Sequence, residues 1–264
     1  MSRPSQATGV LLVGHGTRSA EGRRAFLLLA ERIRQRLSLP VEPCFLELAE
    51  PTIAQGVARL VKARIDRLVV APQLLFAAGH AKQDVPVAVA AALSQSGAAD
   101  IPTGQTTHFG CHPLIVELGL QRLREAVADR DPLPPNETLL IVVGRGSRDA
   151  GATSEMHQFA RLLSQHAGMP RIEAAFLAMA QPSASQVLEA ARGKSVRRVI
   201  VHPHLLFAGE LTESLHKLVA RSSLEQPDQE WIMSRVLADE LQEEGNGTEL
   251  LIAAAVDLIR RCLP

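Results

Sequence analysis

The chain is poor in aromatic residues, with no tyrosine, one tryptophan and seven phenylalanines among 264 residues. Hydrophobic residues still make up 46%, so the core must be aliphatic, which suits helices packed on a parallel sheet. Cysteine is scarce as well. Cys44, Cys111 and Cys262 lie far apart and none forms a CxxC pair, which argues against a disulfide framework or an iron–sulfur site and for a reducing, cytoplasmic setting. No run of about 18 apolar residues occurs, so no membrane span is expected. Met1 to Thr8 are polar, lack the apolar run of a signal peptide, and are expected to fray. A charge excess is missing too. Lys and Arg number 28, as do Asp and Glu, a balance unlike the basic surplus of nucleic-acid binders.

What the chain does have is an internal repeat. Val13-Gly14-His15-Gly16-Thr17-Arg18 returns as Val143-Gly144-Arg145-Gly146-Ser147-Arg148, at an offset of 130. Phe45-Leu46-Glu47-Leu48-Ala49-Glu50-Pro51 returns as Phe176-Leu177-Ala178-Met179-Ala180-Gln181-Pro182, and Pro72-Gln73-Leu74-Leu75-Phe76-Ala77 as Pro203-His204-Leu205-Leu206-Phe207-Ala208, both at 131. A period near half the chain signals a duplicated domain rather than a solenoid. The Pro-dense stretch 131–136 separates the copies and reads as a linker, so domains are expected at residues 1–133 and 134–264.

Each half alternates strands and helices. In the first, strands are expected at Val10–Val13, Val41–Leu48 and Arg67–Ala71, with a weak fourth within 101–109. Ser19 is placed to cap a helix running to Arg36, a second helix spans 53–63, Asp84 is placed to cap a third opening near Pro86, and Pro113 opens a fourth reaching about Ala128. The second half repeats this from Leu139 and ends in a helix over 248–262. Alternating βα units predict an α/β protein of two domains, each a parallel sheet flanked by helices.

In such sheets ligands bind beyond the carboxyl ends of the strands. His15 directly follows strand one, Glu47 ends strand two, and His80 lies in the loop after strand three. Two imidazoles and a carboxylate suit a first-row divalent metal, and three protein ligands leave a position open for chemistry. The repeat is an internal control. His15 corresponds to Arg145, Glu47 to Ala178, and His80 to Glu210 or Leu211, while the neighbouring apolar and glycine residues persist. The fold therefore needs the shared residues and not the trio. His112, at the start of a helix, reads as structural, with His108 outside that helix. His202 and His204 are expected on opposite faces of a strand end, unable to share one ion.

At these residues the sequence resembles the sirohydrochlorin chelatases, a branch of the class II chelatases, in their long two-domain form. The motifs are Gly14-His15-Gly16-Thr17-Arg18, Phe45-Leu46-Glu47-Leu48-Ala49-Glu50-Pro51-Thr52 and Ala78-Gly79-His80-Ala81-Lys82-Gln83-Asp84-Val85-Pro86, with Gly144-Arg145-Gly146-Ser147-Arg148 and Leu205-Leu206-Phe207-Ala208-Gly209 in the second half. The resemblance implies two flavodoxin-like domains with a cleft between them. It implies that His15 and His80 bind Co2+ or Fe2+ for insertion into sirohydrochlorin, on the way to cobalamin or siroheme, and that Glu47 assists. The N-terminal domain would carry the metal site and the C-terminal domain would lack its ligands. No cofactor beyond the substrate metal is implied, since no His-rich stretch or C-terminal cysteine cluster is present. The expected partners are sirohydrochlorin and a divalent metal, with no nucleic acid and no membrane, in a monomer or homo-oligomer. Arg18, Lys82, Arg145 and Arg148 are candidates to pair with the carboxylates of the substrate. A non-catalytic carrier of metal or tetrapyrrole is the alternative. A histidine phosphatase is a further one, disfavoured because Gly14 stands where such enzymes place a phosphate-binding arginine.

Overall fold

The computed structural model describes residues 7–76, 79, 83–239 and 246–263. Its elements follow the repeat. The first half contains β1 (Thr8–Gly14), α1 (Ala20–Arg36), β2 (Val41–Phe45), α2 (Ile53–Lys62), β3 (Arg67–Pro72), α3 (Val85–Gln95), β4 (Thr103–Gln105) and α4 (Pro113–Ala126). The second contains β5 (Thr138–Gly144), α5 (Ala150–Ala167), β6 (Ile172–Phe176), α6 (Ala184–Arg192), β7 (Arg198–His204), α7 (Glu210–Glu225), β8 (Glu230–Met233) and α8 (Asn246–Arg260). Two parallel four-stranded sheets result, ordered β2-β1-β3-β4 and β6-β5-β7-β8. The order reverses between β1 and β3, and again between β5 and β7, which makes those strand ends switch points of the kind that hold ligands.

β1 and β5 are buried along their whole length, as strands covered on both faces must be. Leu11 and Val13 of β1 join Val57 and Leu60 of α2 and Val89 and Leu93 of α3 in one core. On the opposite face, α1 turns Phe26, Leu29, Ala30 and Ile33 inward at helical spacing. Leu139, Ile141 and Val143 of β5 repeat the first arrangement with Val187, Leu188, Leu215 and Val219. The capping boxes repeat as well. Thr52 with Gln55 opens α2, and Ser183 with Gln186 opens α6. No helix among the described residues is long and apolar enough to cross a membrane.

Three readings of the sequence need correction. The second strand ends at Phe45 rather than Leu48, and Leu48 itself adopts a left-handed backbone (φ 61°) that no strand accommodates. Asp84 precedes α3 but is itself helical and makes no side-chain capping bond. His202 and His204 share a face, as residues two apart in a strand do. Their rings lie 6.4 Å apart on the side where His204 stacks on Phe159 of α5, with ring centroids 3.7 Å apart.

The sequence repeats join near 133/134, while by spatial contact the chain forms compact units that part after Phe109, so α4 groups with the second unit. Arg122 explains why. Its guanidinium, 1% exposed, donates to Glu125 Oε2 (2.8 Å) and to the carbonyls of Leu237 (3.1 Å) and Asp239 (3.0 Å). In exchange, α8 starts in the second unit and belongs to the first from Ile252 onward, where Cys262 Sγ reaches the carbonyl of Gln105.

Candidate functional site

The first unit builds its strand ends from backbone outward. Beyond the β1–β2 pairing, Leu46 N donates to Gly14 O (2.9 Å) and Glu47 N to His15 O (3.2 Å), so the two loops stay zipped after the strands end. Gly16 makes this possible. It adopts φ 107°, and a Cβ there would stand 1.8 Å from the carbonyl oxygen of Glu47. Only glycine allows both the dihedral and the approach. Thr17 and Ser19 then turn the chain into α1, Thr17 Oγ1 accepting from Ser19 N and Ser19 Oγ from Gly22 N.

The consequence is that His15 Nε2 lies 3.4 Å from Glu47 Oε1, with side chains 22% and 46% exposed. Two donors bound at about 2.1 Å to one ion with tetrahedral angles stand about 3.4 Å apart, so this spacing fits a shared metal. It is equally an ion-pair distance for a protonated imidazole. Arg18 is exposed on the same loop. His80 and Lys82 lie outside the described residues, and among the described residues no three His, Cys, Asp or Glu side chains gather as a metal site.

The second unit repeats the scaffold without the pair. Gly146, at φ 92°, approaches the carbonyl of Ala178 to the same 1.8 Å, and Asp149 takes the capping role of Ser19. At the positions of His15 and Glu47 stand exposed Arg145 and half-buried Ala178, and Arg148 is exposed nearby. His112 is the N-cap of α4, its Nδ1 accepting from Leu114 N at 3.2 Å.

Two residues escaped the sequence reading. Gln73 directly follows β3, its N donating to Val13 O (2.8 Å), and is 4% exposed; its Nε2 donates to Ala71 O, while Oε1 has no partner among the described residues. Leu48, next to Glu47, combines its left-handed backbone with 53% exposure. The repeat signalled both positions, which match His204 and Met179, but neither burial nor dihedral is written in the residue type.

A family model described as CbiX matches residues 9–126 and 139–242. The sirohydrochlorin ferrochelatase of Priestia megaterium is 32% identical over 214 residues, covering 79% of this chain and 78% of its own length. The sirohydrochlorin cobaltochelatase of the same organism is 29% identical over 216 residues, covering 82% and 70%. The structure of SirB from Bacillus subtilis with Fe3+ superposes with a TM-score of 0.83 at 23% identity, over 97% of this chain and 95% of that one, which speaks for a shared fold. The same family therefore matches both repeats, on the architecture and the strand-end loops described above, and the chain belongs to the CbiX family, whose relatives named here are sirohydrochlorin chelatases.

Proposed function

We propose that this protein inserts ferrous iron or cobalt into sirohydrochlorin, with His15, Glu47 and His80 as metal ligands and catalytic groups. The observation that carries the reading is the His15–Glu47 pair, 3.4 Å apart at the carboxyl edge of the first sheet. The relatives' names point to the same chemistry.

Insertion exchanges one divalent cation for two pyrrole protons. A neutral imidazole holds the incoming metal through Nε2, and the Glu47 carboxylate adds a hard anionic donor. As the metal passes to the ring nitrogens, the vacated imidazole becomes free to accept a proton, its ordinary pKa lying near neutral pH. Glu47 then faces an imidazolium at ion-pair distance, and being half-exposed it can hand the proton to water. His80 supplies the second imidazole of the proposal. Arg18 and Lys82 of the first unit, and Arg145 and Arg148 of the second, are cations suited to substrate carboxylates. The proposal includes no cofactor beyond the metal, no nucleic acid or membrane, a cytoplasmic location, and a monomer or homo-oligomer.

The test is anaerobic absorption spectroscopy with sirohydrochlorin and either Co2+ or Fe2+. Many turnovers by the wild type, lost in His15→Ala and His80→Ala, support the reading. A single equivalent bound without turnover would move it to a carrier, and full activity in both variants would remove the site assignment.

A further inference from the structure

We infer that Leu48 is a contact for the apolar face of the tetrapyrrole, setting affinity for the macrocycle without touching the metal. The inference rests on the chelatase reading above.

Leu48 directly follows Glu47, has φ 61°, and is 53% exposed. A left-handed backbone is strained for a leucine, whereas glycine adopts it freely and asparagine tolerates it through local hydrogen bonding. Leucine offers no such bond, and a side chain this exposed recovers little by burial. The fold alone would be better served by glycine.

The second unit repeats the oddity. Met179, the counterpart of Leu48, has φ 60° and is 52% exposed. The preceding residue has changed from Glu47 to Ala178, so the metal-binding type is gone from that position. A long, unbranched-at-Cβ apolar side chain in a strained conformation has nonetheless been kept. Its persistence is thus independent of the metal ligands; unlike the buried apolar residues that both repeats share for the core, it is exposed and unfavourable to the backbone, and strain retained in this way marks functional positions.

A second observation places the apolar groups. Among the described residues of the first unit, the other large exposed hydrophobic is Val87, 69% exposed, in the first turn of α3. Leu48 follows β2 and Val87 lies in the first turn of the helix that follows β3, so both belong to segments at the carboxyl edge of the sheet, the edge that carries His15 and Glu47. A tetrapyrrole is a flat ring with apolar faces and carboxylates at its periphery. Cations answer the periphery; an apolar prong beside a metal ligand answers the face through which the metal must enter.

Leu48→Gly tests this without endangering the fold, because glycine relieves the left-handed strain. Sirohydrochlorin binding is measured by absorption titration in the absence of metal, alongside thermal melting and the KM values for tetrapyrrole and Co2+. The expected result is about tenfold weaker tetrapyrrole binding, as for loss of most of a leucine contact, with the KM for Co2+ within about twofold and an unchanged or higher Tm. Leu48→Met, copying the second unit, should bind like the wild type. Equal sirohydrochlorin affinity in wild type and Leu48→Gly overturns the inference alone, and a marked fall in the Tm of Leu48→Gly also overturns it, by making the leucine structural. A wild type that neither binds nor metallates sirohydrochlorin overturns the chelatase reading together with it.

Discussion

Gly16 and the carbonyl of Glu47 meet so closely that a side chain on the glycine would overlap the oxygen, at 1.8 Å. That contact seats the His15 loop against the β2 loop, and the side-chain geometry of the site inherits its spacing. Gly16→Ala must both adopt φ 107° and displace the Glu47 backbone. We expect a loss of about 2–4 kcal/mol in stability, read from urea titrations, and loss of metal insertion even where the variant remains folded. A variant with wild-type stability and activity would show that the contact does not govern the site.

Glu47 should be dispensable for folding. Its side chain is 46% exposed, and the second repeat carries Ala178 at the same place. Glu47→Ala is expected to melt like the wild type while insertion falls by about 10-fold or more, the scale on which groups supporting a metal ligand act. Steady-state rates with Co2+ beside a melting curve decide the matter. A stability loss matching the activity loss would reassign the residue.

Arg122 is the residue that binds α4 into the second unit. Removing its head group in Arg122→Met strips a charged donor from Glu125 and from the carbonyls of Leu237 and Asp239. Burial acts to raise the pKa of Glu125, yet hydrogen bonds from Arg122 and Gln121 bring it below its ordinary value. We expect a cost of about 2–4 kcal/mol by denaturant titration. A neutral result would show that apolar packing alone holds the helix.

Acid should weaken the second unit through its buried histidines. Burial, aided by the nearby Arg122 charge, pushes the His202 pKa down to about 3, and burial with the neighbouring His202 pushes His204 down as well. The unfolded chain therefore takes up protons that the folded chain refuses, so stability falls as pH drops from about 6.5 towards 3, by about 1.4 kcal/mol per pH unit for His202, with His204 acting in the same direction. Above pH about 6.5 both states are neutral and this contribution is constant. His202→Gln, which can keep a hydrogen bond to Ser234 Oγ, should narrow its stability gap to the wild type as pH is lowered from 7 to about 4. A gap that stays constant would mean His202 is protonated in the folded state.

Much of the fold was legible because its signals are local. Apolar runs such as Val10–Val13 sit in strands covered on both faces, and Ser19, Thr52 and Ser183 cap helices with their own side chains. The likeness of the two halves placed every strand twice. The His15–Glu47 pairing was also readable, since both residues follow adjacent parallel strands. What escaped depends on tertiary context. Leu48 carries no mark of its left-handed dihedral, Asp84 has the chemistry of a cap but not the backbone, and the unit that buries α4 is decided by partners more than 100 residues away, Leu237 and Asp239. His202 and His204 were readable in principle, since alternation along a strand puts both on one face.

The exchange of α4 and α8 has a consequence for synthesis. Domains of a growing chain generally fold in order from the amino end. Here the first unit runs to Phe109 but is completed from Ile252 onward, by a helix made after the strands of the second repeat. Its four strands emerge early and must wait, part of one helix short, until the second repeat has followed. The first unit therefore reaches its finished state only after the second repeat has been made, and a premature stop within that repeat would deprive the first unit of part of its own structure.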